Sequence, residues 1–386
     1  MDLDFDEATV SFRDEVRNLL HSIVPGDPLP SMDTAEGFEA HRAWERTLAD
    51  ARLSVVSWPS ELGGRDASLL EWVVFEEEYY RSGAPGRVSQ NGIFLLAPTL
   101  FEHAHAEQLT RIMPRMARAD DIWAQAWSEP ESGSDLASLR STARPVDGGW
   151  VLNGQKTWSS RASFADWGFG LFRSDPEAQR HKGITYFMFD LRSEGVTVRP
   201  IEQLDGEPGF AEIFLDDVFV PDDPAHPGES GVIGDVNEGW RVAMSTASNE
   251  RGLSLRSPGR FLATVDRLVN LFETSQSTED TALRNKVADA WIGARAYQLS
   301  TFGTVTRIAD GGKLGAESSI NKVFWSEWDI ATHETALDLQ GPLAELADNW
   351  MDGYLFSLSG PIYAGTNEIQ KNVIAERLLG LPREPR

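Results

Sequence analysis

The chain has 386 residues, with 60 acidic side chains against 35 basic ones, a net charge of −25 and no cysteine. This length suffices for two or three structural units around a large buried core. The absence of cysteine excludes disulfides, cysteine-ligated metal centres and cysteine nucleophiles, and the acidic balance argues against binding to nucleic acid or anionic membranes.

The N-terminal segment 1–7, MDLDFDE, is acidic and lacks the apolar stretch of a signal peptide. No apolar run reaches the roughly 18 residues that a membrane-spanning helix requires. We therefore expect a cytoplasmic protein that does not enter the membrane.

Taken in chain order, the sequence begins with helical patterns that turn signals interrupt. The clearest is the apolar spacing over 69–80. From about residue 121 the pattern changes to short β-strands, and Asn153 followed by Gly154 between two apolar arms predicts the turn of a β-hairpin. Helical periodicity returns at about residue 235, and Asn367 is predicted to cap the last helix.

These patterns predict an α+β protein. Its parts are an N-terminal helical domain (1–120), a middle antiparallel β-domain built as a small barrel or sandwich (121–234) and a C-terminal helical domain (235–386). The sequence contains no G-x-G-x-x-G, P-loop, H-E-x-x-H or G-x-S-x-G signature, and its seven histidines are scattered. No metal site is predicted.

Residues 123–135, WAQAWSEPESGSD, lie where the first helical region meets the β region. The hydroxyls of Ser128 and Ser134 and the bare backbone at Gly133 would suit the polar edge and the phosphates of a cofactor. Loops rich in serine, glycine and proline also occur without a ligand, so this segment alone leaves both interpretations open.

Residues 156–160, KTWSS, are predicted on the second arm of the hairpin. Trp158 and Ser160 are two positions apart and would share one face of a strand. A flat indole beside a hydroxyl suits a planar heteroaromatic ring, and an ordinary core tryptophan is the alternative.

Residues 362–370, IYAGTNEIQ, form a Gly-Thr turn that enters a helix. Backbone amides at a helix N-terminus can bind an anion. A plain helix cap is an equally good interpretation of this segment.

Together, in this order and spacing, the three segments resemble the acyl-CoA dehydrogenase family of flavoproteins. The resemblance covers nearly the whole chain and includes 58–64 (WPSELGG), 128–135 (SEPESGSD), 153–158 (NGQKTW) and 365–370 (GTNEIQ). It implies an N-terminal helical domain, a middle β-domain and a C-terminal four-helix bundle, in agreement with the predicted order. It also implies a tetramer.

The resemblance implies FAD as the cofactor, bound between the β-domain and the C-terminal helices. Trp158 would pack on the isoalloxazine, Ser160 would lie near its N5 and O4, and Thr366 and Glu368 would contact the adenosine-diphosphate part. The full set of expected FAD-binding residues is Gln125, Trp127, Ser128, Gly133, Ser134, Trp158, Ser160, Arg284, Gly341, Thr366 and Glu368.

Two family motifs for FAD are altered in this chain. The Arg-x-x-Phe-Gly stretch is missing, and Arg284 is expected to replace its cation. In the family's Gln-x-x-Gly-Gly-x-Gly motif only Gly341 clearly matches, because the glutamine position is Leu337.

The family reaction removes two hydrogens from the Cα–Cβ bond beside a thioester. A carboxylate takes the α-proton, the β-hydrogen leaves as hydride to flavin N5, and hydrogen bonds stabilise the developing enolate. Many members carry the base where this chain has Ala364, so only the backbone N–H of that position would act. A second family location for the base is a Glu-Arg pair on the first bundle helix, which implies Glu250 as base and Arg251, with Ser134, as substrate-binding residues.

The expected function is therefore FAD-dependent α,β-dehydrogenation of an acyl-CoA in lipid metabolism, with electron-transfer flavoprotein as the electron acceptor. Ala364 and the altered motifs leave open a second interpretation, a base-poor partner subunit in a heterotetramer. An oxidase or monooxygenase on the same fold is a third. The acyl group, and the choice between CoA and acyl carrier protein, are not fixed by the sequence.

Overall fold

The β region of the sequence forms one eight-stranded sheet. In the computed structural model, which describes residues 4–250, 257–275, 277–312 and 315–383, the chain separates into two compact units. The sheet unit comprises Pro25–Asp66 and Pro85–Glu250, and the helical unit comprises Met1–Val24, Ala67–Ala84 and Arg251–Arg386. Both units are thus discontinuous in sequence.

The sheet is mostly antiparallel. Its order is β6-β7-β3-β2-β4-β5-β8, with β1 parallel to β4. Alternating apolar residues of the strands bury one core that includes Leu152, Phe172 and Phe187. The strands are β1 (Trp123–Ala126), β2 (Thr142–Val146), β3 (Gly149–Ser160), β4 (Trp167–Arg173), β5 (Ile184–Asp190), β6 (Val196–Ile201), β7 (Phe210–Pro221) and β8 (Val232–Ile233).

The predicted hairpin turn at Asn153 and Gly154 is wrong. Both residues lie inside β3, and the turn between β2 and β3 is instead at residues 147–148, where Gly148 has a φ of +75°. Asn153 exchanges two 2.9 Å hydrogen bonds with Asp217, at an irregularity in the β3–β7 pairing. The long-range partner strand, rather than the local Asn-Gly signal, therefore decides the conformation here.

The helices agree with the predicted helical regions. In the described part of the chain they are α1 (Glu7–Ile23), α2 (Ala35–Asp50), α3 (Leu69–Arg81), α4 (Ala97–His103), α5 (Ala106–Ala117), α6 (Gly239–Glu250), α7 (Pro258–Thr274), α8 (Thr281–Ala309), α9 (Ser318–Gln340), α10 (Asn349–Ser357) and α11 (Asn367–Val373). A π-helical turn, Asn91–Leu96, leads into α4.

The helical unit has an aromatic core. The ring of Phe261 in α7 meets that of Tyr297 edge-on, with centroids 5.3 Å apart, and stacks with the ring of Trp325 in α9, with centroids 6.4 Å apart. Helix α3 adds a buried acidic face, whose Glu77 and Glu78 pair with arginines of α1. Such pairing is what allows carboxylates to be buried.

The predicted order of helical, β and helical segments is confirmed, and with it the α+β class. The domain boundaries at 120 and 234 stay predictions. The predicted cap of the last helix is wrong, because Thr366 caps α11 through Ile369 N–H at 3.3 Å. Asn367 is instead buried, and its side-chain oxygen accepts a 2.8 Å hydrogen bond from Lys322.

Among the residues that the structure describes, none of the helices combines the length and apolar character needed to cross a membrane.

Candidate functional site

A buried ion pair joins the first two motifs. The Lys156 side chain is 0% exposed, and its Nζ donates to Glu129 Oε1 at 2.8 Å and to the Leu171 carbonyl at 2.7 Å. One residue further, Thr157 N–H donates to the carbonyl of Ser128 at 2.9 Å. The S-E-P loop and the strand that carries Trp158 are therefore fixed to each other.

The Glu129 carboxylate is held in its charged form. It also accepts hydrogen bonds from the N–H groups of Arg140 at 2.6 Å and Ser141 at 3.0 Å. Burial raises the pKa of this carboxyl, but the Lys156 ammonium and these N–H donors outweigh burial and hold the pKa below its ordinary value.

Trp158 is the most unusual residue of the second motif. Its side chain is 60% exposed although it lies in a central strand, and its φ is +59°. The β3–β7 pairing is irregular between Lys156 and Ser159, so β3 carries an extra residue there. A left-handed backbone is costly for a tryptophan, and here it accompanies an open aromatic face two residues before the partly buried Ser160.

Gln125 and Trp127, at the end of β1, point to an unfilled hydrogen-bonding site. Gln125 Nε2 is buried and has no acceptor among the described residues. Trp127 donates its indole N–H to the hydroxyl of Tyr186 at 3.3 Å. A buried amide donor in the same segment as a partly buried indole suits a ligand with polar edges.

The loop after Glu129 is ordered by its own hydrogen bonds. Ser132 Oγ donates to the Asp135 carbonyl at 2.9 Å, and Ser132 and Glu129 exchange backbone hydrogen bonds. Gly133 and Ser134 are exposed at the tip. A Cβ at Gly133 would meet nothing within 4 Å, so in this unit the position is open to a ligand.

The third motif lies in the helical unit. Ala364 has a φ of +57°, and its backbone N–H has no acceptor in the part of the chain that is described. Gln370 Nε2 donates to the carbonyls of Ala364 at 3.1 Å and Gly365 at 3.3 Å, while Ser319 Oγ donates to Gln370 Oε1 at 2.7 Å. The turn is thus fixed from behind, with one N–H left free to donate.

The other expected cofactor residues of this unit are less tightly held. Glu368 is exposed, and hydrogen bonds from its own backbone N–H and from Thr366 lower the pKa of its carboxyl. Gly341 ends α9 with a φ of +56°. Arg284 donates to the Thr278 carbonyl at 2.6 Å, and its stem lines an apolar hollow of about 410 Å³ with Trp291 and Ile292.

The proposed base lies at the edge of the described region. Helix α6 ends at Glu250, whose side chain is not described, and Arg251 lies outside the described residues. The buried positions of α6 include Val242, Thr246 and Ala247.

The sequence did not point to two residues that support the site, Tyr186 and Thr246, and it gave Gln370 no role beyond its place in a motif. Tyr186 lies in the apolar run of β5, Thr246 in α6, and Gln370 at the end of the third motif. A lone hydroxyl or amide inside an apolar pattern gives no signal, because its role depends on partners that are distant in sequence. Among the described residues there is no acidic or histidine cluster suited to a metal, and the predicted lack of a metal site stays a prediction.

Comparison with known proteins identifies relatives over the whole chain. Three family models match it: "Acyl-CoA dehydrogenase, N-terminal domain" over residues 6–120, "middle domain" over 124–218 and "C-terminal domain" over 237–379. "Acyl-CoA dehydrogenase IpdE1" of Mycolicibacterium smegmatis is 38% identical over 397 residues, which cover 97% of this chain and 98% of that protein.

Solved structures show the same architecture. One described as "Tcur3481-Tcur3483 steroid ACAD" is 25% identical with a TM-score of 0.87, and all of each chain is covered. The "ChsE4-ChsE5 complex from Mycobacterium tuberculosis" is also 25% identical, with a TM-score of 0.83 and the same full coverage.

Proposed function

The chain belongs to the acyl-CoA dehydrogenase family, and from that premise we propose that it dehydrogenates an acyl-CoA at Cα–Cβ with Glu250 as the base. It is an oxidoreductase acting on acyl-CoA, and members of the family are FAD flavoproteins. The proposal rests most directly on the open indole of Trp158, which the Lys156–Glu129 pair fixes beside the Ser128 loop.

The residues of the candidate site fit the cofactor. In the sheet unit, Trp158 offers a flat face, Ser160 a hydroxyl, and Gln125 an amide donor that has no acceptor within the described ranges. Gly133 and Ser134 leave an open loop tip for phosphate oxygens. In the helical unit, Arg284, Gly341, Thr366 and Glu368 are proposed to complete the binding of FAD, as the family resemblance implies.

The chain's own residues supply the proton chemistry. Glu250 takes the α-proton, and the free N–H of Ala364 donates a hydrogen bond to the thioester oxygen as negative charge develops there. Bound FAD supplies the acceptor for the hydride that leaves Cβ. Ser134 and Arg251 are proposed to hold the CoA thioester.

The test compares Glu250→Gln with Glu238→Gln, an exposed carboxylate just before the same helix. Loss of the flavin's visible absorbance is followed after anaerobic mixing with acyl-CoA. We expect the rate to fall by about 10²–10⁴ in the first variant, as for removal of a general base, and to stay unchanged in the second. Equal FAD content must be shown for both, and undiminished bleaching in Glu250→Gln would assign the base elsewhere.

The substrate is proposed to be the CoA thioester of a bulky, ring-bearing acyl group. One similar structure is described as a steroid ACAD, and family members with a base at the position of Glu250 include ones that act on branched, long and steroid-derived acyl groups. The check is a series of acyl-CoAs from butyryl to steroid side-chain thioesters. We expect kcat/KM to rise with acyl bulk, and a maximum at short straight chains would contradict this.

A second candidate is an assembly of two different chains. The observations in favour are Ala364 in place of the family carboxylate and two similar structures that are each described with two protein names. Purification of the chain alone distinguishes the candidates. A tetramer with one FAD per chain supports a self-sufficient homotetramer, whereas a folded, colourless protein supports a missing partner.

Electron-transfer flavoprotein is the proposed electron acceptor. Fast reaction of the reduced flavin with oxygen would indicate an oxidase or monooxygenase instead.

A further inference from the structure

A row of buried hydroxyls runs through the sheet unit. Trp127 Nε1 is 3.3 Å from the Tyr186 hydroxyl, which is 3.2 Å from Thr246 Oγ1, which in turn is 2.7 Å from Thr99 Oγ1. Tyr186, Thr246 and Thr99 are each 0% exposed. The row therefore joins the flavin motif after β1 to strand β5 and to helices α6 and α4.

The ends of the row fix the direction of its hydrogen bonds. An indole N–H can only donate, so the Tyr186 oxygen accepts from Trp127. At the other end Thr99 Oγ1 donates to the carbonyl of Leu95 at 3.0 Å, and a carbonyl can only accept. With the Thr99 proton on the Leu95 carbonyl, Thr246 donates to Thr99 and Tyr186 donates to Thr246. The Val242 carbonyl, 3.3 Å from Thr246 Oγ1, is an alternative acceptor for the single Thr246 proton.

The row ends in irregular backbone. Leu95 belongs to the π-helical turn Asn91–Leu96, a form that is rare and concentrated at functional sites. The Tyr186 ring meets the Trp127 indole edge-on, with centroids 6.1 Å apart and planes at 86°. One hydroxyl thus fixes both the tilt of the indole and its connection to α6.

We propose that Tyr186 and Thr246 are positioning residues that set the orientation of the Trp127 indole and couple it to α6, one turn before Glu250. The kinetic part of this proposal rests on the proposed function, whereas the structural part does not. Removal of either hydroxyl leaves a buried donor or acceptor unsatisfied, so the indole is expected to reorient.

The structural part is tested by ¹⁹F NMR of protein labelled with 5-fluorotryptophan. The Trp127→Phe variant assigns the Trp127 resonance, because one signal of the 13 tryptophans disappears. We expect this resonance to shift in Tyr186→Phe and Thr246→Val and to stay in place in Thr246→Ser, which keeps the hydroxyl. Thr301→Val is the matched control, since Thr301 is buried in α8 and bonds only to a backbone carbonyl in the contacts described.

The kinetic part uses the same variants with FAD and acyl-CoA. A small displacement near the reacting groups lowers the rate without weakening binding, so we expect kcat to fall about tenfold and KM to stay within about twofold. Rescue by Thr246→Ser supports positioning. An unmoved Trp127 resonance in Tyr186→Phe and Thr246→Val overturns the proposal. If the resonance moves but Glu250→Gln retains full activity, the proposed function fails while the positioning of Trp127 stands.

Discussion

Lys156 is completely buried, and its ammonium lies 2.8 Å from the carboxylate of Glu129. The two residues belong to different sequence motifs: Glu129 directly follows Ser128, and Lys156 lies two residues before Trp158. The pair therefore does more than satisfy two charges. It fixes the distance between the Ser128 loop and the Trp158 bulge.

Removal of one partner of this pair is expected to destabilise the protein strongly. Glu129→Gln leaves a buried ammonium without its counter-charge, which costs about 3–5 kcal/mol. The free energy of unfolding in urea measures this loss. The control is Glu131→Gln, because the Glu131–Arg140 pair is 71% and 79% exposed and contributes about 0–1 kcal/mol. A loss below about 1 kcal/mol in Glu129→Gln would contradict the structural role.

The same pair makes stability depend on pH. The pKa of Glu129 in the folded protein lies below its ordinary value of 4.5. Its stabilising effect is therefore fully present above that ordinary value and is lost as the pH falls through the folded pKa. We expect the difference in unfolding free energy between the wild type and Glu129→Gln to be constant from neutral pH down to about pH 5 and to shrink in stronger acid. A difference that does not change in acid would show that the carboxylate charge is not involved.

Trp158 is expected to contribute directly to FAD affinity. An aromatic pair adds about 0.5–1.5 kcal/mol beyond buried area, so Trp158→Ala should weaken FAD binding about tenfold, and Trp158→Phe less. Equilibrium ultrafiltration of apoprotein with FAD gives the dissociation constants. Phe219→Ala is the control, because Phe219 is an aromatic of the same unit that is 50% exposed. Equal FAD affinities in the Trp158 and Phe219 variants would show that the Trp158 indole does not contribute to FAD binding.

Gln370 is expected to stabilise the turn that presents the Ala364 N–H. Gln370→Leu removes both amide contacts to the turn and leaves the buried Ser319 hydroxyl without its partner. We expect a loss of about 1–3 kcal/mol in unfolding free energy, together with a lower kcat. Lys371→Gln is the neighbouring control, since its ion pair with Glu327 is more than half exposed. If the two variants are equally stable, the turn does not depend on the amide.

The regular parts of the fold could be predicted because their signals are local. The apolar spacing over 69–80 predicts α3 almost to the residue, since Leu69–Arg81 is observed. The Asn153-Gly154 signal failed because β3 pairs with β7 about sixty residues away, and the side chain of Asn153 is used by Asp217. The turn preference of two adjacent residues carries no information about a partner strand that is distant in sequence.

The candidate site was accessible to sequence reasoning only in part. Trp158, Ser128 and Thr366 belong to contiguous motifs whose residue types match a known chemistry. Tyr186 and Thr246 are separated by sixty positions, and neither belongs to a motif. Their relation depends on the packing of β5 against α6, which no local pattern encodes. The left-handed backbone at Trp158 and Ala364 was equally hidden, because neither residue type favours that conformation.

The order of the segments along the chain constrains when each unit can fold. Both segments of the sheet unit have been synthesised by residue 250, whereas α1 and α3 belong to a unit that continues from residue 251. Helix α3 is covered closely by α7, where a Cβ at Gly259 would lie 2.5 Å from the carbonyl of Glu76. During translation α3 is therefore made before the rest of the sheet unit, and α7 is made after it. This interval leaves the face of α3 that α7 covers in the native protein without that partner in the nascent chain.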